Sequence, residues 1–271
     1  METNRWQVAV CASALFILSG CAGGQPATRS EQPASASAVS AVGAEPQGDA
    51  KAILMRMAGF LAKTQRFSVN VRGNFDVVQE SGQKVEFGET RKITVSRPNH
   101  LRVESEHSDG EKNSFLYDGK DITLFSPSQN VYAQTSKPGG IDAAIMYFLK
   151  DLHMRLPLAV LLLSRFPEEL ERRTQSLDYV EKTEFHGAPA HHLAGRTETV
   201  DYQVWIAAGT QPLPLRAVLT YKNAEGQPQY RAQFSDWNLT PEVQDSQFVF
   251  TPSEGARKIS FLAQLPQIGL Q

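Results

Sequence analysis

The sequence predicts a mainly β fold with helices: an open antiparallel half-barrel of about eleven strands whose concave face is covered by helices. Three observations carry this. Short segments alternate apolar and polar residues with a period of two, as half-buried strands do. Turn dipeptides separate them at a spacing too short for crossover helices, so successive strands pair antiparallel. Most strands have one apolar face, and the helices carry matching stripes. Seating helices in the concavity of an incomplete barrel buries both.

The elements follow in order. Asp49 has the side chain of a helix N-cap. Ile53, Leu54, Met57, Phe60 and Leu61 then form one apolar helical stripe. From Phe67 the period becomes two, with Phe67, Val69, Val71, Phe75 and Val77 on one face. Further strands are expected at Lys84 to Arg97, Leu101 to Ser105, Asn113 to Tyr117, Ile122 to Phe125 and Val131 to Gln134. Pro98-Asn99, Asp109-Gly110, Asp118-Gly119 and Ser126-Pro127 break them. A helical insert comes next. Ile141, Ala144, Ile145, Phe148 and Leu149 mark an amphipathic helix, Pro157 starts a short apolar helix to Leu163, and Pro167 with Glu168 and Glu169 starts another. Strands resume near Thr174. Tyr230, Ala232 and Phe234 alternate, but Trp237 and Leu239 fall on the opposite parity, which predicts a β-bulge near Ser235-Asp236. The expected domain spans 49–255, and 256–271 is left unassigned.

The N-terminus predicts an address. Arg5 and the apolar stretch Val8 to Leu18 read as a signal peptide over 1–20. Leu18-Ser19-Gly20-Cys21 follows and resembles the lipobox of bacterial lipoproteins. That resemblance implies cleavage before Cys21 and acylation of it. Ala22, rather than aspartate, at the next position implies an outer-membrane anchor with the domain facing the periplasm. Residues 21–48 carry the lipidated cysteine and an Ala-, Ser-, Gly- and Pro-rich tether. Such a segment buries too little surface to fold and would reach roughly 30 Å as a coil. With Cys11 in the signal and Cys21 acylated, the mature domain has no disulfide, and its stability must come from an apolar core.

Several chemistries find no support. A net charge of -2 gives no electrostatic case for nucleic acid. No run of about 18 apolar residues is present, so no spanning helix is predicted. Nucleophile elbow, phosphate loop, dinucleotide and zinc-protease motifs are missing, and no catalytic residue, cofactor or metal is expected. His186, His191 and His192 cluster, but His191 and His192 point to opposite faces of a strand. Glu168, Glu169 and Glu171 with Arg172 and Arg173 read as a solvated helix face. Trp205 and Trp237 read as sheet packing, with ligand stacking as the alternative. The run Leu156 to Leu163 is either core or a mobile apolar lid.

The helix, strands, helical insert and second strand set resemble the bacterial lipoprotein-carrier family of the LolA and LolB type. Arg97-Pro98-Asn99, Asp118-Gly119-Lys120 and Phe125-Ser126-Pro127 carry the local match. The second half resembles an uncharacterised branch of predicted periplasmic proteins. It does so through Gly187 to Leu193, Asp201 to Ile206, Leu213 to Arg216 and Phe234 to Trp237. The resemblance implies an apolar cavity that binds acyl chains, lipids or lipidated proteins, and it implies that Arg97 holds a lid closed by hydrogen bonds. Acylation of the chain itself departs from the soluble carrier and favours a stationary, receptor-like binder over a shuttle. The candidate cavity lining is Ile53, Leu54, Met57, Phe60, Leu61, Val69, Val71, Phe148, Leu149 and Leu161. The expectation is therefore a non-enzymatic binder of a hydrophobic ligand. The alternative is an envelope interaction or assembly protein with the same fold and a filled core.

Overall fold

The computed structural model describes residues 47–154 and 156–261. The expected signal peptide, Cys21 and the tether up to residue 46 lie outside these residues, as does 262–271. The chain runs α1 (Gln47–Lys63), β1 (Arg66–Val78), β2 (Lys84–Ser96), β3 (His100–His107), β4 (Lys112–Tyr117), β5 (Asp121–Ser126) and β6 (Val131–Ser136). A helical insert contains α2 (Ile141–Met146) and α3 (Phe166–Arg173). The second strand set is β7 (Ser176–Phe185), β8 (Ala188–Arg196), β9 (Val200–Ala207), β10 (Pro214–Tyr221) and β11 (Gln229–Asn238), and β12 (Arg257–Lys258) ends it.

The strands form one open sheet in the order β12-β6-β5-β4-β3-β2-β1-β11-β10-β9-β8-β7. The expected eleven strands are all there. A two-residue twelfth, β12, pairs parallel with β6 and draws the unassigned tail into the sheet. All other neighbours are antiparallel, and they are sequential hairpins except at β1–β11, where the second set folds back beside the first strand. The bulge expected near Ser235-Asp236 lies there. Ser68 pairs with Asn238 but Asn70 with Ser235, and Asp236 has φ 54°. The Asn70 amide donates to Asp236 Oδ2 at 2.8 Å, which holds the kink.

α1 covers the concave side of β7 to β9 and packs on α3. Its buried side chains are Ala50, Ile53, Leu54, Met57, Ala58 and Leu61, a repeat of three and four that keeps one stripe inward. Two details differ from the sequence expectation. The helix has already begun at Gln47, so Asp49 lies within it. Ala58 rather than Phe60 completes the stripe, because the close approach of α1 to its neighbours favours a methyl there, and Phe60 lies half-buried at the side.

β5 does not alternate: Ile122, Thr123 and Leu124 are all buried. The segment after β11 explains this by covering the convex side. Phe250 stacks its ring near Phe125 (5.1 Å) and Tyr132 (4.9 Å), and buried Phe248 lies 4.9 Å from His100. Strands covered on both faces lose the polar half of their pattern.

Across β8 and β9, Gly195 faces Tyr202, and a Cβ on residue 195 would overlap the Tyr202 ring. Tyr202 is held there by a 2.9 Å hydrogen bond with Thr174 Oγ1. Gly195→Ala should therefore lower the unfolding free energy by about 1–3 kcal/mol, read from denaturant midpoints at constant slope. An unchanged midpoint would show that the ring moves aside freely.

Candidate functional site

The helical insert roofs the concave face. α2 is followed by a single π-helical turn, Tyr147–Asp151, then by a loop and a 3₁₀ turn, Ala159–Leu162. The apolar helix expected from Pro157 starts two residues later, because Leu158 takes a left-handed conformation with φ 66°. For a residue with a Cβ that conformation costs roughly 1–2 kcal/mol. His153, in the same loop, has φ 52°. Two such residues in one short segment mark it as held by its surroundings rather than by its own preference.

Two cavities lie beneath this roof. The narrower, about 130 Å³, is enclosed by the first half of the sheet. Phe67, Val69 and Val71 of β1, Ile93, Val103 and Phe115 of β2 to β4, and Phe234 and Trp237 of β11 line it. The wider, about 800 Å³, lies between α1, α3 and the second half of the sheet, with Leu54, Met57, Phe166, Tyr202 and Leu219 in its wall. Leu156, Pro157, Leu158, Leu161 and Phe234 line both, so the roof segment and one phenyl ring are the partition. The wider space falls within the usual ~300–1,000 Å³ of ligand sites.

The roof is tied at two points. Arg97, at the end of β2, donates from Nη1 to the Leu162 carbonyl at 2.8 Å. It also donates from Nε to Thr64 O at 3.2 Å and from Nη2 to Leu61 O at 3.5 Å. One guanidinium thus joins the sheet, the C-terminal end of α1 and the roof. Burial pulls the Arg97 pKa below its ordinary value, partly offset by Asp142, and the group stays charged. Asp142 makes the second tie, accepting from Ser164 N at 2.9 Å and Ser164 Oγ at 2.7 Å.

At the rim of the wider cavity sits Glu169, with an 8% exposed surface. Arg172 Nη2 donates to its Oε2 at 2.7 Å and Arg173 Nε to the same atom at 2.8 Å. Burial pushes the Glu169 carboxyl up, but those two arginines outweigh it and hold it below the usual range. The acidic and basic run at 168–173, expected to be a solvated face, is therefore half a rim: its arginines are exposed, but Glu169 is buried between them.

Of the sequence-predicted lining residues, Leu61, Val69, Val71 and Phe148 line the narrow cavity, Leu54, Met57 and Leu149 the wide one, and Leu161 both. Ile53 and Phe60 line neither. Ile53 is buried within the core, and Phe60 is half-buried on α1. Cys21 lies outside the described residues. Trp237 reaches the narrow cavity, while Trp205 stacks on His192 with centroids 3.9 Å apart. His192 bonds Gln203 at 3.1 Å and His191 bonds Tyr179 at 3.2 Å, and no group able to hold a metal occurs among the described residues. No described helix is long and apolar enough to cross a membrane. Sequence reasoning missed the β10 wall and the polar residues Arg91, Ser105 and Asn113 of the narrow cavity. Their inward parity was readable, but which strands would face the roof was not.

A family model described as "Predicted periplasmic protein (DUF2092)" matches residues 50–262. No curated protein matches the chain. Among solved structures, the chain is similar to the lipoprotein LppX of Mycobacterium tuberculosis, with 13% identity and a TM-score of 0.46, covering 73% of this chain and 100% of that one. LprF of Mycobacterium bovis gives 12% identity and a TM-score of 0.46, with 74% and 98% covered. A LolA superfamily protein of Nitrosomonas europaea gives 11% identity and a TM-score of 0.36, with 74% and 97% covered.

The Glu169 cluster has a pH signature. Its folded pKa is depressed, so its stabilisation is present above the unfolded value of about 4.3 and is lost as pH falls through the lower folded value. Glu169→Gln should lower the urea midpoint at pH 7 and converge with the wild type towards pH 3. A constant gap between the two across that range would refute the linkage.

Proposed function

The chain belongs to the DUF2092 family of predicted periplasmic proteins, and on that premise we propose that it binds or carries a hydrophobic ligand, an acyl chain or lipid, under the roof formed by residues 147–163. The observation that carries this reading is an apolar cavity and a wider, partly polar one separated by one tied segment. A protein that served as a rigid platform would gain stability by filling them, since unfilled apolar volume forfeits contacts. Affinity comes from apolar burial at about 25 cal/mol per Å², without covalent chemistry.

Arg97 acts as the latch in this reading. Its bond to the Leu162 carbonyl is the contact that a displaced roof would lose, while its bonds to α1 would remain. Leu158 relaxes from its left-handed conformation when the roof lifts, which offsets part of the cost of opening. Lifting the partition merges the two spaces into one trough.

The full chain, purified and examined by native mass spectrometry with lipid extraction, is expected to carry a lipid or to take up a fluorescent fatty acid. Arg97→Leu should speed that uptake several-fold and lower the melting temperature, since each lost bond is worth about 1 kcal/mol. A wild-type protein that emerges empty and takes up nothing sinks the proposal.

We also propose that Cys21 carries the acyl anchor and that the domain hangs from the outer membrane. The motivating residues are Leu18-Ser19-Gly20-Cys21-Ala22. Expressed in a Gram-negative host, the chain should fractionate with outer membranes, and Cys21→Ser should release it from them. Co-fractionation of Cys21→Ser with the membrane would overturn the anchor.

A further inference from the structure

One row across the narrow cavity breaks its apolar lining. Register places Val71 of β1 opposite Arg91 of β2, Arg91 opposite Ser105 of β3, and Ser105 opposite Asn113 of β4. All four line the narrow cavity. The adjacent inward row, Val69, Ile93, Val103 and Phe115, is apolar throughout. The change from one row to the next is therefore abrupt, within a single step of the strand pleat.

Asn113 is the sharpest feature. It is 4% exposed, and neither its Nδ2 nor its Oδ1 has a hydrogen-bond partner among the described residues. A buried amide left so costs about 1–3 kcal/mol per unpaired group. Apolar packing does not call for an amide here, because Leu, with the same branching, would suit the neighbouring Phe115. Ser105 Oγ, beside it, has only a long 3.4 Å contact to the Asn113 backbone carbonyl.

Arg91 is already neutralised from behind. Its Nη2 donates to Glu89 Oε2 at 2.9 Å and lies 2.8 Å from Oε1. Tyr230 donates its hydroxyl to Glu89 Oε1 at 2.8 Å, in a buried position. Gly73 makes room for this arrangement, since a Cβ there would come within 2.7 Å of the Tyr230 hydroxyl. The row thus presents donors and acceptors with no net charge. A carboxylate or phosphate entering it would add an uncompensated charge in apolar surroundings, with Glu89 close behind.

We infer that the Arg91–Ser105–Asn113 row is a headgroup site for a single-chain amphiphile whose uncharged head carries a carbonyl and a hydroxyl, as a monoacylglycerol does. The chain lies along the apolar rows under the roof, and the Asn113 amide gives one hydrogen bond to the head and takes one from it. The cavity, about 130 Å³, leaves room for one chain at most beside this row, with the rest of that chain extending under the lifted roof. The inference rests on the reading that this cavity holds an acyl chain, and the test separates the two.

Diphenylhexatriene, a rod-shaped fluorophore without a head, is bound to the purified full chain and displaced by monolauroylglycerol, laurate or dodecyl phosphate. Monolauroylglycerol is expected to displace it at about a tenth of the concentration of either anion. In Asn113→Leu that preference should fall to about parity, while diphenylhexatriene binds as before. Ser105→Ala should shift the ratio in the same direction by less, and it decides the matter alone if Asn113→Leu does not fold. An equal or anion-favouring ratio in the wild type, or a preference unchanged by the substitutions, overturns the headgroup site and leaves the carrier reading standing. Failure of diphenylhexatriene to bind the wild type overturns both.

Discussion

An antiparallel sheet with one apolar face cannot leave that face in water, and this requirement shapes the rest of the molecule. The face from Phe67 through Val71 on β1 is matched by Ile93, Val103 and Phe115, and on the other side by Leu193, Val204 and Ala217. The sheet stays open, so helices must complete the enclosure. α1 does this over β7 to β9, and the insert does it over the first half. Neither helix could remain ordered alone with such a stripe, and the sheet could not remain soluble without them. The two are therefore one cooperative unit, and the cavities are what is left where the fit is incomplete.

Arg97 sits where the three parts meet. Its side chain reaches carbonyls at the end of α1 and at the end of the roof from a position fixed by β2. Helix ends leave carbonyls unpaired, and a buried end must find donors. A guanidinium supplies several in fixed geometry without losing its charge. The same bonds that satisfy those carbonyls determine how firmly the roof is held. The ends of α1 and of the roof are thus joined through one residue, with Asp142 and Ser164 making the second tie.

Polar groups inside this enclosure are arranged with economy of charge. Glu169 is held by two arginines at the rim, and Glu89 by Arg91 and Tyr230 at the inner end. Both of these carboxylates are compensated, as desolvation demands. Among the described residues, His107 Nε2, Glu111 Oε1, His192 Nδ1 and Arg216 Nε are buried without a hydrogen-bond partner, and Asn113 stands out because both atoms of its amide are so. An amide left unpaired in the lining of a cavity invites a reading in terms of what enters that cavity.

Period-two alternation in β1 and β11 was legible because each has one wet face, and the parity slip at Trp237 in the sequence revealed the bulge at Asp236. The apolar stripe of α1 and the helical insert were legible for the same reason, since a single interface imposes a single period. Three things were decided only by tertiary structure. β5 hides its polarity because a distant C-terminal segment covers its outer side. Phe60 lies beside the core, and Ala58 within it, because the approach distance of α1 is a property of the packed whole. The polar row of Arg91, Ser105 and Asn113 exists only through register between four strands, which a linear pattern does not encode. Local periodicity is written in neighbouring residues, so sequence alone determined the elements and their inward faces. Which inward faces meet depends on contacts between segments far apart in the chain, and only the folded structure decided those.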